Sequence, residues 1–208
     1  MKPLMRGVDL SHWNGNVDFN VLKRNGVSFA ILKAGGDEGN FYKDSCYNKN
    51  YNSAKQHGIY VGAYYFVGRN FTTSAVGLKD AKHFVSLLRG KTFEMPVIVD
   101  IEVTPVTMRN GSTDAAIAFC RELENCGYYA MIYASDVSGF KDRLNLDKLV
   151  AFDKWVAKYG SNPVYVKEYG IWQYSSKGTF PGHKGFFDLN YAYKNYPQII
   201  KKNHLNGF

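Results

Sequence analysis

The sequence has no long apolar run. No stretch of its 208 residues is long enough to cross a bilayer. Its start, Met1-Lys2-Pro3-Leu4-Met5-Arg6, lacks the apolar core of a secretory signal. The expectation is a protein made in the cytoplasm without a signal peptide and not inserted in a membrane. Cysteine is scarce. Cys46, Cys120 and Cys126 are odd in number, contain no CxxC pair and have no metal-like spacing, which excludes a disulfide framework. They read as buried free thiols of a chain that folds under reducing conditions. His57, His83, His183 and His204 show no spacing that suggests zinc, and His12 reads as a loop histidine. An acidic excess is also missing, since the formal net charge is +8. A basic surface attracts polyanions, whether nucleic acid, anionic membrane or anionic cell wall. The Lys and Arg are scattered, however, in short pairs such as Lys23-Arg24 and Lys201-Lys202, and no nucleic-acid-binding motif is visible. Nucleic acid is not an expected partner.

What is present is an ordinary globular composition, with 45% hydrophobic and 21% charged residues, enough for one domain with a substantial core. Aromatic residues reach 16%, with sixteen Tyr. Most belong to packing, but exposed aromatics also suit the apolar C–H faces of sugar rings. Strand-like and helix-like segments alternate. Strands are expected at 7–10, 29–33, 59–66, 97–101 and 128–133. Helices are expected at 18–25, 44–56, 74–88 and 112–125, with a short, poor one at 137–144. Asp18 reads as the cap of the first helix, and Ser112 or Thr113 as the cap of the fourth. Three further strands, 155–158, 170–174 and 185–189, follow without convincing helices between them. About five βα units followed by three strands predict an α/β chain with a mostly parallel sheet, closed into a TIM-like barrel. No internal linker appears. Residues 1–208 read as one domain, with a core of about 5–195 and a tail of 196–208.

The most informative stretch is Pro96-Val97-Ile98-Val99-Asp100-Ile101-Glu102. A β-branched apolar run of this kind reads as a strand buried on both faces. Alternate strand residues share a face, so Asp100 and Glu102 lie side by side with Cα atoms roughly 6–7 Å apart. Like charges repel, and desolvation raises the pKa of at least one. A pair with one acid protonated and one ionised is what cleavage of a glycosidic bond needs. Gly7-Val8-Asp9-Leu10-Ser11-His12-Trp13 and Phe186-Phe187-Asp188-Leu189-Asn190 each bring another acid to a strand end. Converging, they would make a cleft of four acids: Asp9, Asp100, Glu102 and Asp188.

At this point the chain resembles glycoside hydrolase family 25, the muramidases or Chalaropsis-type lysozymes. The resemblance runs through Gly7-Val8-Asp9-Leu10-Ser11 with Trp13 and Gly15, Phe29-Ala30-Ile31-Leu32-Lys33-Ala34, Gly58, and Gly62-Ala63-Tyr64-Tyr65-Phe66. It continues through 96–102, Tyr133, Trp155-Val156-Ala157-Lys158-Tyr159, Trp172-Gln173-Tyr174 and Asp188-Leu189-Asn190. The ordered set is far more specific than any one piece. It implies a single flattened barrel and a lysozyme that cleaves, with retention, the β-1,4 bond between N-acetylmuramic acid and N-acetylglucosamine. The implied partner is the glycan strand of bacterial peptidoglycan, and no cofactor or metal is expected. Glu102 would be the general acid/base. Asp100 would act on the reacting sugar, through its 2-acetamido group or as a direct nucleophile, and Asp9 and Asp188 would complete the acidic cleft. Tyr64, Trp172, Lys33, Tyr133, Trp155 and Tyr65 are the substrate-binding candidates. Lys33 also reads as an ion-pair partner for a barrel acid, and Trp155 and Tyr159 as barrel packing.

Two departures stand out. The family often has Lys-Ala-Thr-Glu-Gly after its second strand, where this chain has Lys33-Ala34-Gly35-Gly36-Asp37-Glu38-Gly39, a longer loop expected to be flexible. The family commonly has His at the position of Tyr65, which would alter a cleft wall. The missing signal peptide points to the catalytic domain of a phage endolysin, acting on the cell wall, with any wall-binding domain lying outside this chain. The competing readings are a non-catalytic glycan-binding module on the same barrel and a metal-dependent hydrolase using the carboxylates as ligands. The complete acid set disfavours the first, and the lack of paired His disfavours a zinc version of the second.

Overall fold

The computed structural model describes residues 2–208. Along the chain run β1 (Met5–Leu10), α1 (Phe19–Arg24), β2 (Phe29–Asp37), β3 (Phe41–Lys43), α2 (Tyr47–Gln56), β4 (Tyr60–Val67), α3 (Ser74–Leu88), β5 (Val97–Asp100) and α4 (Arg109–Asn125). They are followed by β6 (Ala130–Ser135), β7 (Asp153–Ala157), β8 (Ile171–Gly178), β9 (Phe187–Ala192) and α5 (Tyr196–Lys202), with a short helical segment at Asp136–Lys141 after β6. The sheet order β1-β9-β8-β7-β6-β5-β4-β2 closes through a β1–β2 pairing into an eight-stranded barrel. Neighbouring strands are parallel except at β9, which runs antiparallel to both β1 and β8. The expected rhythm of βα units followed by three strands is the observed one.

The strand period of two separates two cores. Outward-facing Leu32, Val61, Tyr65, Val97 and Val99 pack with Phe84 and Phe119 of the helical layer. Inward-facing Phe29, Ile31, Ile98, Met131, Ile171 and Ala192 fill the barrel and are fully buried. Each such large apolar side chain contributes about 1.5–3 kcal/mol relative to its exposed state. With the lower barrel filled, the main cleft lies at the upper end, at the carboxyl ends of the parallel strands.

Several expectations need correction. Asp18 does cap α1, accepting from the Asn20 and Val21 amides at 2.9 and 3.1 Å. Ser112 and Thr113, by contrast, lie buried inside α4, where Thr113 Oγ1 donates to the Arg109 carbonyl at 2.7 Å. The thiols are free, but Cys120 alone is buried; Cys46 is half-buried and Cys126 exposed. The segment expected as a flexible loop after β2 is ordered: β2 runs on to Asp37 and turns into β3. Its glycines serve close approach. A Cβ on Gly35 would stand 2.1 Å from the Tyr42 carbonyl oxygen, and one on Gly36 would stand 2.4 Å from that of Phe66.

The expected tail, 196–208, is part of the core. Tyr196 and Ile200 plug the lower end of the barrel. Asn206, fully buried, donates through Nδ2 to the Phe93 and Met95 carbonyls at 3.1 and 2.9 Å, and its Oδ1 accepts from the Tyr129 amide at 2.7 Å. Sequence periodicity misses this because the hydrogen bonds that fix the segment come from one isolated polar residue. Asn206→Ala strands three buried main-chain groups, each costing about 1–3 kcal/mol when unpaired. The expected result is a loss of at least about 3 kcal/mol, hence a fall in melting midpoint of roughly 6–12 °C for a domain of this size. A change below about 1 kcal/mol in denaturant titration would refute an integral role for this segment.

Candidate active site

The upper, inward-facing positions carry the polar side chains. They are Asp9 of β1, Lys33 of β2, Tyr64 of β4, Asp100 of β5, Tyr133 of β6, Trp155 of β7, Gln173 of β8 and Asp188 and Asn190 of β9. Asp9 faces Ile31 across β1–β2, Lys33 faces Tyr64, and Asp9 is paired with Asp188, so period and register alone bring these groups together. Asp188 stands at the start of its strand, not the end, because β9 runs antiparallel and begins at the open end. The cleft they line has a volume of about 630 Å³. All four expected acids lie in it.

β5 ends at Asp100, so Glu102 belongs to the bend beyond it and opens to solvent, while Asp100 is buried. The two still meet in the cleft, where each acts on the titration of the other. Burial and the negative charge of Glu102 hold the Asp100 pKa well above the usual carboxylate range. Glu102 is also raised by desolvation, against the lowering effects of the neighbouring Asp100 carboxyl and the Lys33 and Arg143 charges. Both acids are thus held toward their protonated forms, Asp100 the more strongly.

A second acid pair lies opposite. Burial and the nearby Asp188 push Asp9 up to about 8, and burial with the Glu102 charge pushes Asp188 up to about 6. Of the two, Asp9 holds its proton the more strongly. Asp9 is held by two amides through one oxygen: Gln173 Nε2 donates to Oδ2 at 2.9 Å and Asn190 Nδ2 at 2.8 Å. Both amides are themselves fixed. Tyr133 and Tyr159 hydroxyls each donate to Gln173 Oε1 at 2.9 Å, and Trp155 Nε1 donates to Asn190 Oδ1 at 2.8 Å. Each amide can therefore turn only its NH2 toward Asp9. Gln173 and Asn190, which occur in the sequence only as parts of longer motifs, thus join the cleft network, as does Tyr159, which reads from the sequence as barrel packing. The parity of Asn190 with Asp188 on β9 is the available sequence signal.

The aromatic floor is Tyr64, Tyr133 and Trp155, with Tyr133 and Trp155 ring centroids 4.4 Å apart and Tyr64 edge-on to Trp155 at 6.3 Å. Burial and the facing acids keep the Tyr64 and Tyr133 phenols protonated, as hydrogen-bond donors. Two expected binding residues are not in the cleft. Tyr65 points the other way from Tyr64, is fully buried against Phe84 and Phe119, and pairs its hydroxyl with His83 Nδ1 at 2.9 Å. Trp172 lies on the outer side of β8 beside Tyr174 and Tyr191, while Gln173 faces inward. Lys33 is correctly placed but forms no ion pair within 4.0 Å among the described residues. Its ammonium instead sits 4.6 Å from the Phe66 ring centroid and 5.4 Å from that of Tyr42, acting on the acids at longer range. His12 is more than a loop residue: its ring and amide bind Asp44 Oδ2 at 2.7 and 3.0 Å, which anchors the exposed Trp13 at the rim.

Two carboxylate pairs of raised pKa over an aromatic floor, at the open end of an eight-stranded barrel, define a glycoside hydrolase. Comparison with known proteins agrees. The sequence model of "Glycosyl hydrolases family 25" matches residues 8–183. The chain belongs to this family. It is 32% identical over 187 residues to the autolytic lysozyme of Clostridium acetobutylicum, covering 89% of this chain and 55% of that protein. The chain thus spans about half the length of that relative. Among solved structures, the CTP1L endolysin superposes with a TM-score of 0.83 at 31% identity, covering 96% of this chain and 70% of that one. The bacterial lysozyme from Streptomyces coelicolor superposes with a TM-score of 0.75 at 26% identity, covering 96% and 98%.

Proposed function

We propose that this chain is a muramidase that hydrolyses the β-1,4 bond between N-acetylmuramic acid and N-acetylglucosamine in bacterial peptidoglycan, with retention at the anomeric carbon. The observation that supports this reading is the convergence of Asp100 and Glu102, with Asp9 and Asp188, on one cleft above Tyr64, Tyr133 and Trp155. Glu102, open to the cleft, takes a proton from the more strongly protonated Asp100 and passes it to the leaving oxygen. Asp100, then anionic, supports the positive charge developing on the sugar, either through the 2-acetamido group or directly. Water enters next, and Glu102 acts as base. Asp9 and Asp188 hold the sugar ring on the opposite wall, with Tyr64, Tyr133 and Trp155 beneath it. The lysozyme and endolysin names of the similar proteins support the same substrate and action on the cell wall.

Digestion of purified peptidoglycan followed by borohydride reduction tests the bond choice. Reduced muramic acid is the expected new end. Reduced glucosamine would make the enzyme a glucosaminidase. Proton NMR of early products tests stereochemistry: the β-anomer should form first, and an initial α-anomer would refute retention.

A further inference from the structure

The cleft is strongly acidic, yet a second hollow of about 500 Å³ opens from its edge and shares Glu102, Tyr133 and Tyr159 with it. Its remaining wall has the opposite character, with Arg143, Lys158 and the hydroxyls of Ser135 and Ser138. Arg143 and Lys158 are half-buried, and neither takes part in an ion pair among the described residues. The guanidinium is fixed by main-chain acceptors instead: Nε donates to the Thr104 carbonyl at 2.9 Å, and Nη1 donates to the Ser138 carbonyl. That leaves Nη2 without a hydrogen-bond partner among the described residues. The nearby acid, Asp136, is occupied elsewhere. Its two oxygens accept from the Val164, Tyr165 and Val166 amides at 2.8, 3.1 and 2.9 Å, which ties down the loop that follows β7. Lys158 is held at its carbonyl, which accepts from Trp172 Nε1 at 2.8 Å.

We propose that this hollow is a carboxylate-binding annex, in which Arg143 and Lys158 receive an acidic group of the peptide stem borne by the muramyl residue. The proposal rests on the muramidase reading and deepens it, because a glycan with acidic branches meets repulsion in the catalytic cleft and an unpaired cationic pair beside it. A carboxylate fits the forked donors of a guanidinium whose other nitrogens are already fixed. Such a group also neutralises the positive field that lowers the Glu102 pKa, so stem binding and acid strength are linked.

The test uses soluble glycan fragments with their native stems, alongside the same fragments with stem carboxylates converted to amides by carbodiimide and ammonia. The wild-type chain should favour the native fragments roughly tenfold in kcat/KM, mostly through KM. Arg143→Gln should bring that ratio close to one, and Lys158→Gln should reduce it. The ratio is informative because a merely structural disturbance lowers both substrates together. Lys158→Gln carries the test should Arg143→Gln fold poorly, because the Lys158 ammonium has no hydrogen bond or ion pair among the described residues. Equal use of both fragments by the wild type, or an unchanged ratio in the variants, would overturn the annex. Calorimetric binding on a Glu102→Gln background separates this from the muramidase reading. Retained preference for native fragments there supports the annex even if the cleaved bond proves to be another one.

Discussion

Glu102→Gln should lower turnover on soluble peptidoglycan fragments by roughly 10²–10⁴-fold, the usual contribution of a positioned proton donor. Gln keeps the volume and the polarity, but it can neither take up nor release a proton. Glu102 opens to solvent and is not part of either apolar core, so the melting midpoint should stay within about 2 °C, the shift that the ordinary ±0.5 kcal/mol of a surface substitution gives. Substrate binding, measured by calorimetry on intact fragments, should be nearly unchanged. A variant with wild-type turnover would place the proton donor elsewhere, and Asp188 would be the next acid to test.

Asp100→Asn should be comparably severe and should also reshape the pH profile. In the wild type the pair titrates as a unit. Below its first apparent pKa both acids are protonated, so the anion that supports the oxocarbenium-like sugar is missing. Above its second, no proton remains for the leaving oxygen. Activity therefore follows a bell whose upper limb lies above the ~4.3 of an ordinary Glu. Burial and the Glu102 charge raise Asp100, and desolvation raises Glu102, so both steps move upward in pH. Asn at position 100 removes one negative charge and places a permanent donor against Glu102. The anionic form of Glu102 is then favoured, and the upper limb of any residual activity should shift to lower pH. Turnover itself should fall by about 10²-fold or more. The measurement belongs on soluble fragments, because a chain of net charge +8 binds anionic wall in a salt-dependent way. An upper limb that does not move would show that the two acids titrate independently.

The acid motif could be read in the chain, whereas which of its two acids is buried could not. Sequence reasoning treated Asp100 as the anion and Glu102 as the acid. Only the fold shows that Asp100 is the buried partner and Glu102 the open one, since β5 stops between them. The same limit explains the residues assigned to the wrong side. Tyr64 and Tyr65, like Trp172 and Gln173, are neighbours of opposite parity. Aromatic character drew attention to both tyrosines and to Trp172, but in each neighbouring pair only one residue can face the barrel interior. An amide such as Gln173 carries no chemistry of its own until Tyr133, Tyr159 and Asp9 are seen to fix its orientation.

By itself the sequence determined the alternation of strands and helices, the closed α/β barrel, and the four acids of the cleft. These follow from short-range properties: apolar periodicity, glycine-ended helices, and carboxylates placed at strand ends. The tertiary structure decided what depends on register and closure. It set β9 antiparallel, so that Asp188 meets Asp9 from the start of its strand. It folded 196–208 into the lower core through Asn206, and turned the glycine-rich segment after β2 into a hairpin. It also left Arg143 and Lys158 without ion pairs among the described residues, beside an acidic cleft. The physical reason is common to all four. A residue's partners across a barrel are far away in the chain, and desolvation, hydrogen-bond satisfaction and field strength at a site are set by those partners.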